Sequence, residues 1–164
     1  GVVVMAPAYS HMTQRKRGLW YTDNRSTIVI QDVAKFDTAM VIWWFAHTQG
    51  NITISDDGKS AVISRNGIYL YAEIVSDIHS ARFTAMEAES LDPAYTGDTV
   101  NDPNYPNGGY VEYSRTEFTK LCVTAENVTE YKLAVVFKVI SNPDSAPELG
   151  TTYTWKDIDS WTVD

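Results

Sequence analysis

Apolar and polar side chains alternate with a period of two along much of this chain, which is the pattern of a half-buried β-strand. Residues 68–75 show the alternation most clearly, with apolar side chains on one face. The same alternation places Tyr69, Tyr71 and Glu73 on the opposite face, which we expect to be directed outward. Residues 132–139 repeat this pattern. Three shorter segments rich in Ile, Val and Thr are also predicted as strands: 27–32, 52–55 and 60–64.

Two short turns connect three of the predicted strands into a meander. Asn66 and Gly67 are a pair that tolerates positive φ at both central positions of a type I′ turn. Asp57 and Gly58 form a similar, slightly longer link. No stretch shows an apolar helical stripe flanked by caps. The pattern therefore predicts an all-β fold, a layered antiparallel β-sandwich in one domain.

Residues 40–47 (MVIWWFAH) differ from the other segments because they are apolar on both faces. A strand of this kind needs cover on both sides. The opposing sheet provides one cover. The other is either a second layer of this domain or a neighbouring domain, which makes Trp43, Trp44 and His47 candidate domain-interface residues.

The chain length of 164 residues suits a single domain. We expect residues 1–8 to be a leading segment and residues 9–140 to form the sandwich, with a long loop at 91–109 that is rich in Pro, Gly and Asn. Residues 141–164 are predicted as a tail that packs on the sandwich through its aromatic side chains. No signal peptide is recognisable and the chain opens on Gly1, so we expect it to be a piece of a larger protein.

The charge balance limits the possible partners. The chain has 13 Lys and Arg against 21 Asp and Glu, a net charge of −8. Binding to nucleic acid or to an anionic membrane surface requires a basic surface, so neither partner is expected. No run approaches 18 consecutive apolar residues, so the sequence predicts no membrane-spanning helix.

Signals for a metal, a cofactor or a catalytic centre are weak. The three histidines lie far apart in the sequence and show no metal-ligand spacing, so we predict no metal site. The alternative is a cluster of ligands that only the tertiary fold brings together. No phosphate loop or nucleophile elbow is present, and no cofactor is expected. Cys122 lies in a predicted strand and is interpreted as a buried, inert thiol. Glu87 and Glu89 are two residues apart, but a solvated strand face explains them more simply than acid–base chemistry.

Carbohydrate binding has more candidates. Residues 15–17 (RKR) are the one basic cluster, and a strand would place Arg15 and Arg17 on one face, where both can pair with carboxylates or sulfates. The alternatives are an edge strand protected by charge, or ion pairs with acids of the same domain. Exposed tyrosines can stack on sugar rings or pack against another domain. The candidate sugar contacts are Arg15, Arg17, Tyr69, Tyr71, Tyr105 and Tyr110.

Several segments resemble the C-terminal β-sandwich of heparinase II/III-like polysaccharide lyases. They are RGLW at 17–20, STIVIQD at 26–32, IWWFAHT at 42–48, ITI at 52–54 and DGKSA at 57–61. The resemblance covers residues 9–140 and consists of strand patterns, not catalytic signatures. His47 matches a strand histidine of the family, without an assigned chemical role.

The resemblance implies a parent in which an α/α-toroid domain precedes a layered antiparallel sandwich and cleaves uronic-acid polysaccharides, such as glycosaminoglycans, by β-elimination. The stretch that holds the family's catalytic residues would precede Gly1, so no catalytic residue is assigned here. The chain is then expected to support the toroid and to contact an acidic polysaccharide, in a periplasmic or secreted protein. The alternatives are a stand-alone carbohydrate-binding module and, less favoured, an enzyme built on Glu87, Glu89 or His47.

Overall fold

The computed structural model describes residues 1–4, 12–88 and 117–161, and within them the chain forms eight antiparallel strands and no α-helix. The prediction of a single all-β antiparallel domain is confirmed. The strands are β1 (Val2–Val4), β2 (Met12–Thr22), β3 (Thr27–Thr48), β4 (Asn51–Ile54), β5 (Ser60–Arg65), β6 (Ile68–Ser76), β7 (Arg82–Glu87) and β8 (Thr119–Ile140).

All eight strands belong to one sheet in the order β1-β2-β3-β8-β6-β5-β4, with β7 paired to β8. The two central strands, β3 and β8, are 22 residues long and pair from Thr27↔Lys138 to Thr48↔Thr119. The strands predicted at 27–32 and 40–47 are therefore the two ends of one strand. Residues 1–8 are predicted as a leading segment, but Val2–Val4 pairs with β2 and extends the sheet at its edge.

The sheet folds over itself to make the layers. The register between β3 and β8 shifts between Lys35 and Ile42, where the long ladder becomes irregular. Beyond this point the distal part of β3 packs against the end of β8, since the ring centroid of Trp44 is 6.3 Å from that of Phe137. The apolar side chains between the layers form the main core. Burial of each large apolar side chain there contributes about 1.5–3 kcal/mol.

The predicted meander is confirmed, since β4 pairs with β5 and β5 pairs with β6. Asn66 and Gly67 have φ values of 51° and 76°, as a type I′ turn requires. In the β4–β5 link Gly58 has a φ of 69°, and the backbone N–H of Lys59 donates to Oδ1 of Asp57 at 2.9 Å.

The C-terminal tail lies on the second face of the central strands. Val29 of β3 is buried in a second cluster with Tyr153, and partly buried aromatic side chains complete that cluster. The ring centroid of Trp20 is 6.3 Å from that of Tyr153 and 5.6 Å from that of Trp161. Gly18 leaves room for this contact, because a Cβ at that position would lie 2.5 Å from the Trp161 ring. The middle of the sheet is therefore covered on both faces.

This tail changes the expected face of β6. Tyr71 and Glu73 are predicted to point outward, but both are buried. The Tyr71 hydroxyl donates to Oε2 of Glu73 at 3.1 Å, and the backbone N–H of Gly150 donates to Oε1 at 3.2 Å. The alternation in the sequence is correct, but the tail brings the backbone N–H of Gly150 to Glu73 on the face that would otherwise meet water.

Candidate binding surface and groove

The distal half of β3 presents an apolar stripe on the outside of the fold. Val41, Trp43, Phe45 and His47 alternate with inward-facing residues and form what we name the outer stripe. Val41 is 53% exposed and Trp43 is 43% exposed, whereas the intervening Trp44 is only 4% exposed. Adjacent exposed apolar side chains on a folded domain are a common mark of an interaction site.

Contacts within the chain involve the two aromatic rings of the outer stripe. The rings of Trp43 and Phe45 are stacked, with 6.0 Å between centroids and 20° between planes. The Lys120 ammonium lies 5.1 Å from the centroid of Phe45. Since Trp43 and Phe45 are held against each other, covering them costs less side-chain entropy than covering freely rotating side chains.

Trp44 does not belong to this surface, which corrects its assignment as an interface residue with Trp43 and His47. Its side chain packs in the main core with Phe137. The reason is the two-residue period of the strand, which sends neighbouring side chains to opposite faces. His47 lies on the same face as Trp43 and is exposed. Of the three candidate interface residues, Trp43 and His47 therefore lie on the exposed face, and Trp44 lies in the core.

A groove with a volume of about 310 Å³ lies beside the outer stripe. It is bordered by residues of β2, both parts of β3, and β8. Most of its lining is apolar, and its charged side chains are Arg15, Arg17 and Asp32. Tyr131 and Trp43 also line it. The groove thus combines apolar walls with a few polar groups, as small-molecule sites usually do.

Arg17 is largely occupied by an ion pair inside the domain. Its Nε and one terminal nitrogen donate to the two carboxylate oxygens of Asp32 at 2.7 and 2.8 Å. The hydrogen bonds to Asp32 raise the pKa of the Arg17 guanidinium. Register explains the contact, because Arg17 and Asp32 are paired across β2 and β3. For Arg17, an ion pair within the domain is therefore the interpretation that the structure supports.

Arg15 shares the groove with Arg17 but has no ion pair or hydrogen bond within the part of the chain that the structure describes. Lys16, between them, faces the tail and donates to Oδ1 of Asp159 at 2.6 Å. The expectation that Arg15 and Arg17 share one face agrees with this geometry. Within the described residues, Arg15 is the cation of the cluster that has no acidic partner.

Tyr131 supplies a neutral hydroxyl in the same groove. Its side chain is buried, and burial, with a smaller effect of the Asp32 carboxylate, raises the pKa of its hydroxyl well above its usual range. The hydroxyl makes no hydrogen bond to any residue that the structure describes. A protonated hydroxyl without a partner is a ready donor to a bound anion.

The other predicted residues divide into three groups. Tyr71 is buried against Glu73 and cannot offer a ring face to a sugar, which corrects its assignment. Tyr69 is partly exposed on the same strand and remains a candidate. Tyr105 and Tyr110, like the loop at 91–109, lie outside the described residues.

The sequence patterns missed two features of the groove. Tyr131 looks like an ordinary strand residue in the sequence, and Asp32 looks like the polar end of a short strand. Only the pairing of β2, β3 and β8 brings them together with Arg15 and Arg17. A usable signal for Asp32 was the presence of an acid at the end of an otherwise apolar segment near a basic cluster.

Within residues 1–4, 12–88 and 117–161, no three His, Cys, Asp or Glu side chains are grouped so that they could hold a metal ion. Over those same ranges, no helix is long and apolar enough to span a membrane.

Comparison with protein-family models and with curated proteins gives no match. Solved structures do match. Heparan sulfate lyase HepC from Pedobacter heparinus has a TM-score of 0.54 and 11% identity, over 86% of this chain and 20% of that protein. A structure of heparinase III has a TM-score of 0.55 and 10% identity, over 85% of this chain and 19% of that protein. A heparinase III gene product has a TM-score of 0.56 and 13% identity, over 90% of this chain and 20% of that protein.

At these low identities the likeness shows the fold. The chain has the fold of one part of larger lyases, and the fold predicted from the heparinase II/III-like resemblance is confirmed. It spans about 20% of the length of the solved structures that it matches.

Proposed function

We propose that this chain is a non-catalytic β-sandwich domain at the C-terminal end of a heparinase II/III-like polysaccharide lyase, and that it supports the catalytic part of its parent. The outer stripe carries the proposal, because Val41 and Trp43 are large apolar side chains that remain exposed among the described residues. The occupant is the rest of the parent chain, which the 20% coverage of the solved lyases supports. The sequence resemblance implies that this partner is an α/α-toroid and that the protein is periplasmic or secreted.

The energetics favour docking within one chain. Full burial of an exposed large apolar side chain contributes about 1.5–3 kcal/mol, and Val41 and Trp43 are about half exposed, so covering each contributes about half of that. Covalent connection to the parent makes the contact intramolecular, at an effective concentration in the millimolar range for short linkers. A small stripe is therefore sufficient to hold the two domains together.

The test measures association between this chain and the rest of its parent, supplied as a separate polypeptide, by sedimentation velocity. Trp43→Thr and Phe45→Thr keep a residue that suits a strand but remove the ring. We expect each to weaken association about tenfold or more, since 1.4 kcal/mol corresponds to that factor. The control is Tyr21→Thr, which removes an exposed aromatic ring from β2. If the unchanged chain and all three variants associated equally with the rest of the parent, docking through the outer stripe would be refuted.

The groove favours a second candidate function, a carbohydrate-binding module that acts without the parent. The guanidinium of Arg15, which lines the groove and has no acidic partner within the described residues, supports this candidate. In calorimetric titrations with acidic polysaccharides, we expect binding without new ultraviolet absorbance from an unsaturated uronate product. New absorbance would contradict the proposal that the chain is non-catalytic.

A further inference from the structure

We propose that an extended segment of the rest of the parent chain adds as a β-strand to the free edge of the distal half of β3 and lies in the groove beside it. We name this edge, which is formed by the backbone of residues 40–48, the open edge. The inference rests on the proposed docking of this chain to its parent, and it adds backbone pairing to the side-chain contacts of the outer stripe. It also gives Arg15 the role of pairing with an acidic side chain of the added strand.

The open edge is the part of β3 that has a neighbouring strand on one side only. One edge of β3 pairs with β8, with an irregular middle, from Thr27 to Thr48, whereas the other edge pairs with β2 only from Thr27 to Phe36. Within the part of the chain that the structure describes, no strand or backbone hydrogen bond joins residues 40–48 on the side away from β8. In an antiparallel pair, every second residue directs its N–H and C=O away from the partner strand. The open edge therefore presents a row of backbone donors and acceptors to a further strand.

The open edge also lacks the features that protect exposed strand edges from pairing. Residues 40–48 contain no Asp, Glu, Lys, Arg, Pro or Gly. The strands at the two ends of the sheet, by contrast, are short, since β1 has three residues and β4 has four. Short strands, charges and prolines are the usual means by which folded proteins keep their edges from pairing with another chain. The open edge is therefore suited to a partner strand.

The groove runs along the open edge. Its lining includes the consecutive residues 40–44, and consecutive side chains of a strand point to opposite faces. A groove that touches both faces of a strand lies at the edge of that strand. The opposite wall consists of residues of β2 and the first half of β3 that share one face with Ala34, a residue of the main core: Met12, Arg15, Arg17, Asp32 and Phe36. A strand added to the open edge would lie over this wall and extend the second layer of the sandwich across β2.

The charges of the groove favour an acidic side chain on the added strand. The charged lining residues are Arg15, Arg17 and Asp32, and the last two form an ion pair with each other. Arg15 has no acidic partner within the described residues. A carboxylate that covers this guanidinium between apolar walls is attracted more strongly than on an open surface, because water is excluded there. We therefore expect the inward-facing side chains of the added strand to be apolar, with one Asp or Glu opposite Arg15.

The row of backbone groups selects a polypeptide strand over a small anion. A free anion can pair with Arg15, but it cannot pair with the alternating N–H and C=O groups of residues 40–48. The rest of the parent is the favoured source of the strand, because Val41 and Trp43 belong both to the outer stripe and to the lining of the groove. This chain spans about 20% of the solved lyases that it matches, so a parent of that length has further chain to supply a strand.

The experiment measures amide hydrogen exchange by NMR in the isotope-labelled chain, alone and in complex with the rest of the parent, which is supplied as a separate unlabelled polypeptide. In the chain alone, we expect every second amide of residues 41–47 to exchange rapidly, because it has no hydrogen-bond partner. In the complex, those same amides should exchange at least about 100-fold more slowly, since new backbone hydrogen bonds protect them. The control is the outer edge of β4, at the far end of the sheet, where exchange should be equal in both samples.

The role of Arg15 is tested by sedimentation velocity with the same two polypeptides. Arg15→Gln should weaken association about tenfold, as the loss of a charge-assisted hydrogen bond implies, and Arg15→Glu should weaken it further by repulsion. The matched control is Arg65→Gln, which removes the same charge from an exposed position in β5 and should leave association unchanged. The midpoint of thermal unfolding of Arg15→Gln should equal that of the unchanged chain, because Arg15 has no ion pair or hydrogen bond within the described residues.

The added strand is overturned if the two polypeptides associate while the amides of residues 40–48 exchange as rapidly as in the chain alone. Protection of these amides in the isolated chain, at low or at high concentration, would assign the open edge to this chain itself or to a second copy, and would overturn the parent as its occupant. Equal weakening by Arg65→Gln and Arg15→Gln would overturn the acidic contact. Failure of the docking proposal has a different signature, because Trp43→Thr and Phe45→Thr then leave association unchanged.

Discussion

The hydrogen bond between Tyr153 and Gln31 should be one of the main contacts that hold the C-terminal tail on the sheet. The Tyr153 hydroxyl donates to Oε1 of Gln31 at 2.9 Å, and Nε2 of Gln31 donates to the carbonyl of Lys156 at 2.8 Å. Gln31 is 0% exposed, so water cannot replace either partner. Tyr153→Phe removes the hydroxyl and keeps the ring.

The expected cost follows from this geometry. The ring of Tyr153 remains packed on Trp20, so the substitution opens no large cavity. The amide oxygen of Gln31 loses its donor while buried, which costs about 1–3 kcal/mol. For a chain of this size, each kcal/mol of lost stability lowers the midpoint of thermal unfolding by about 2–4 °C. A loss of about 2 kcal/mol therefore lowers the midpoint by about 6 °C.

Urea denaturation and differential scanning calorimetry measure the effect. The matched control is Tyr21→Phe, which removes a hydroxyl from a side chain that is 54% exposed, and its free energy of unfolding should change by less than about 0.5 kcal/mol. If Tyr153→Phe were as neutral as the control, the buried hydrogen bond would not contribute to stability and this explanation of tail docking would be wrong.

Three further predictions concern stability. Trp44→Ala should cost about 3–5 kcal/mol in urea denaturation, because the side chain is in the core, whereas Trp43→Ala should cost about 1 kcal/mol; equal costs would contradict their opposite orientations. Gly18→Val places a side chain where the Trp161 ring lies, so the tryptophan emission should shift to the red as the tail loosens; an unchanged spectrum would contradict this contact. Burial raises the pKa of the Tyr131 hydroxyl, so folding favours its protonated form. The stability that this preference contributes is fully present below the pKa of the unfolded chain, about 10, and is lost as the pH rises towards the pKa of the folded protein. Urea titrations at increasing pH should show this decline, and Tyr131→Phe should reduce it; an identical decline in the variant would refute the assignment.

The fold was predictable where local sequence determines it. The alternation in β5 and β6 and the turn at Asn66 and Gly67 were sufficient to predict a hairpin, which the structure contains. The length of β3 was not predictable, because its two ends have different apolar patterns and meet only through an irregular middle.

The candidate site was predictable only in part for a related reason. Arg15 and Arg17 share a face because strands have a period of two, and a sequence reveals that period. The Asp32 contact of Arg17 depends on the register between β2 and β3, which no local pattern determines. Glu73 is buried where the distant tail reaches it through the backbone N–H of Gly150, a tertiary effect that the alternation of its own strand cannot show.

The proposed docking of the outer stripe predicts how its side chains react in the longer parent protein. Hydroxyl-radical footprinting measures the oxidation of Trp43 and Phe45 in the isolated chain and in the parent, with the exposed Tyr21 on β2 as an internal reference. We expect oxidation of Trp43 and Phe45 to fall at least about fivefold in the parent, as burial of a hot-spot aromatic requires, while Tyr21 reacts equally in both. Equal oxidation of Trp43 in the two proteins would contradict a role for this chain as a domain that docks through the outer stripe.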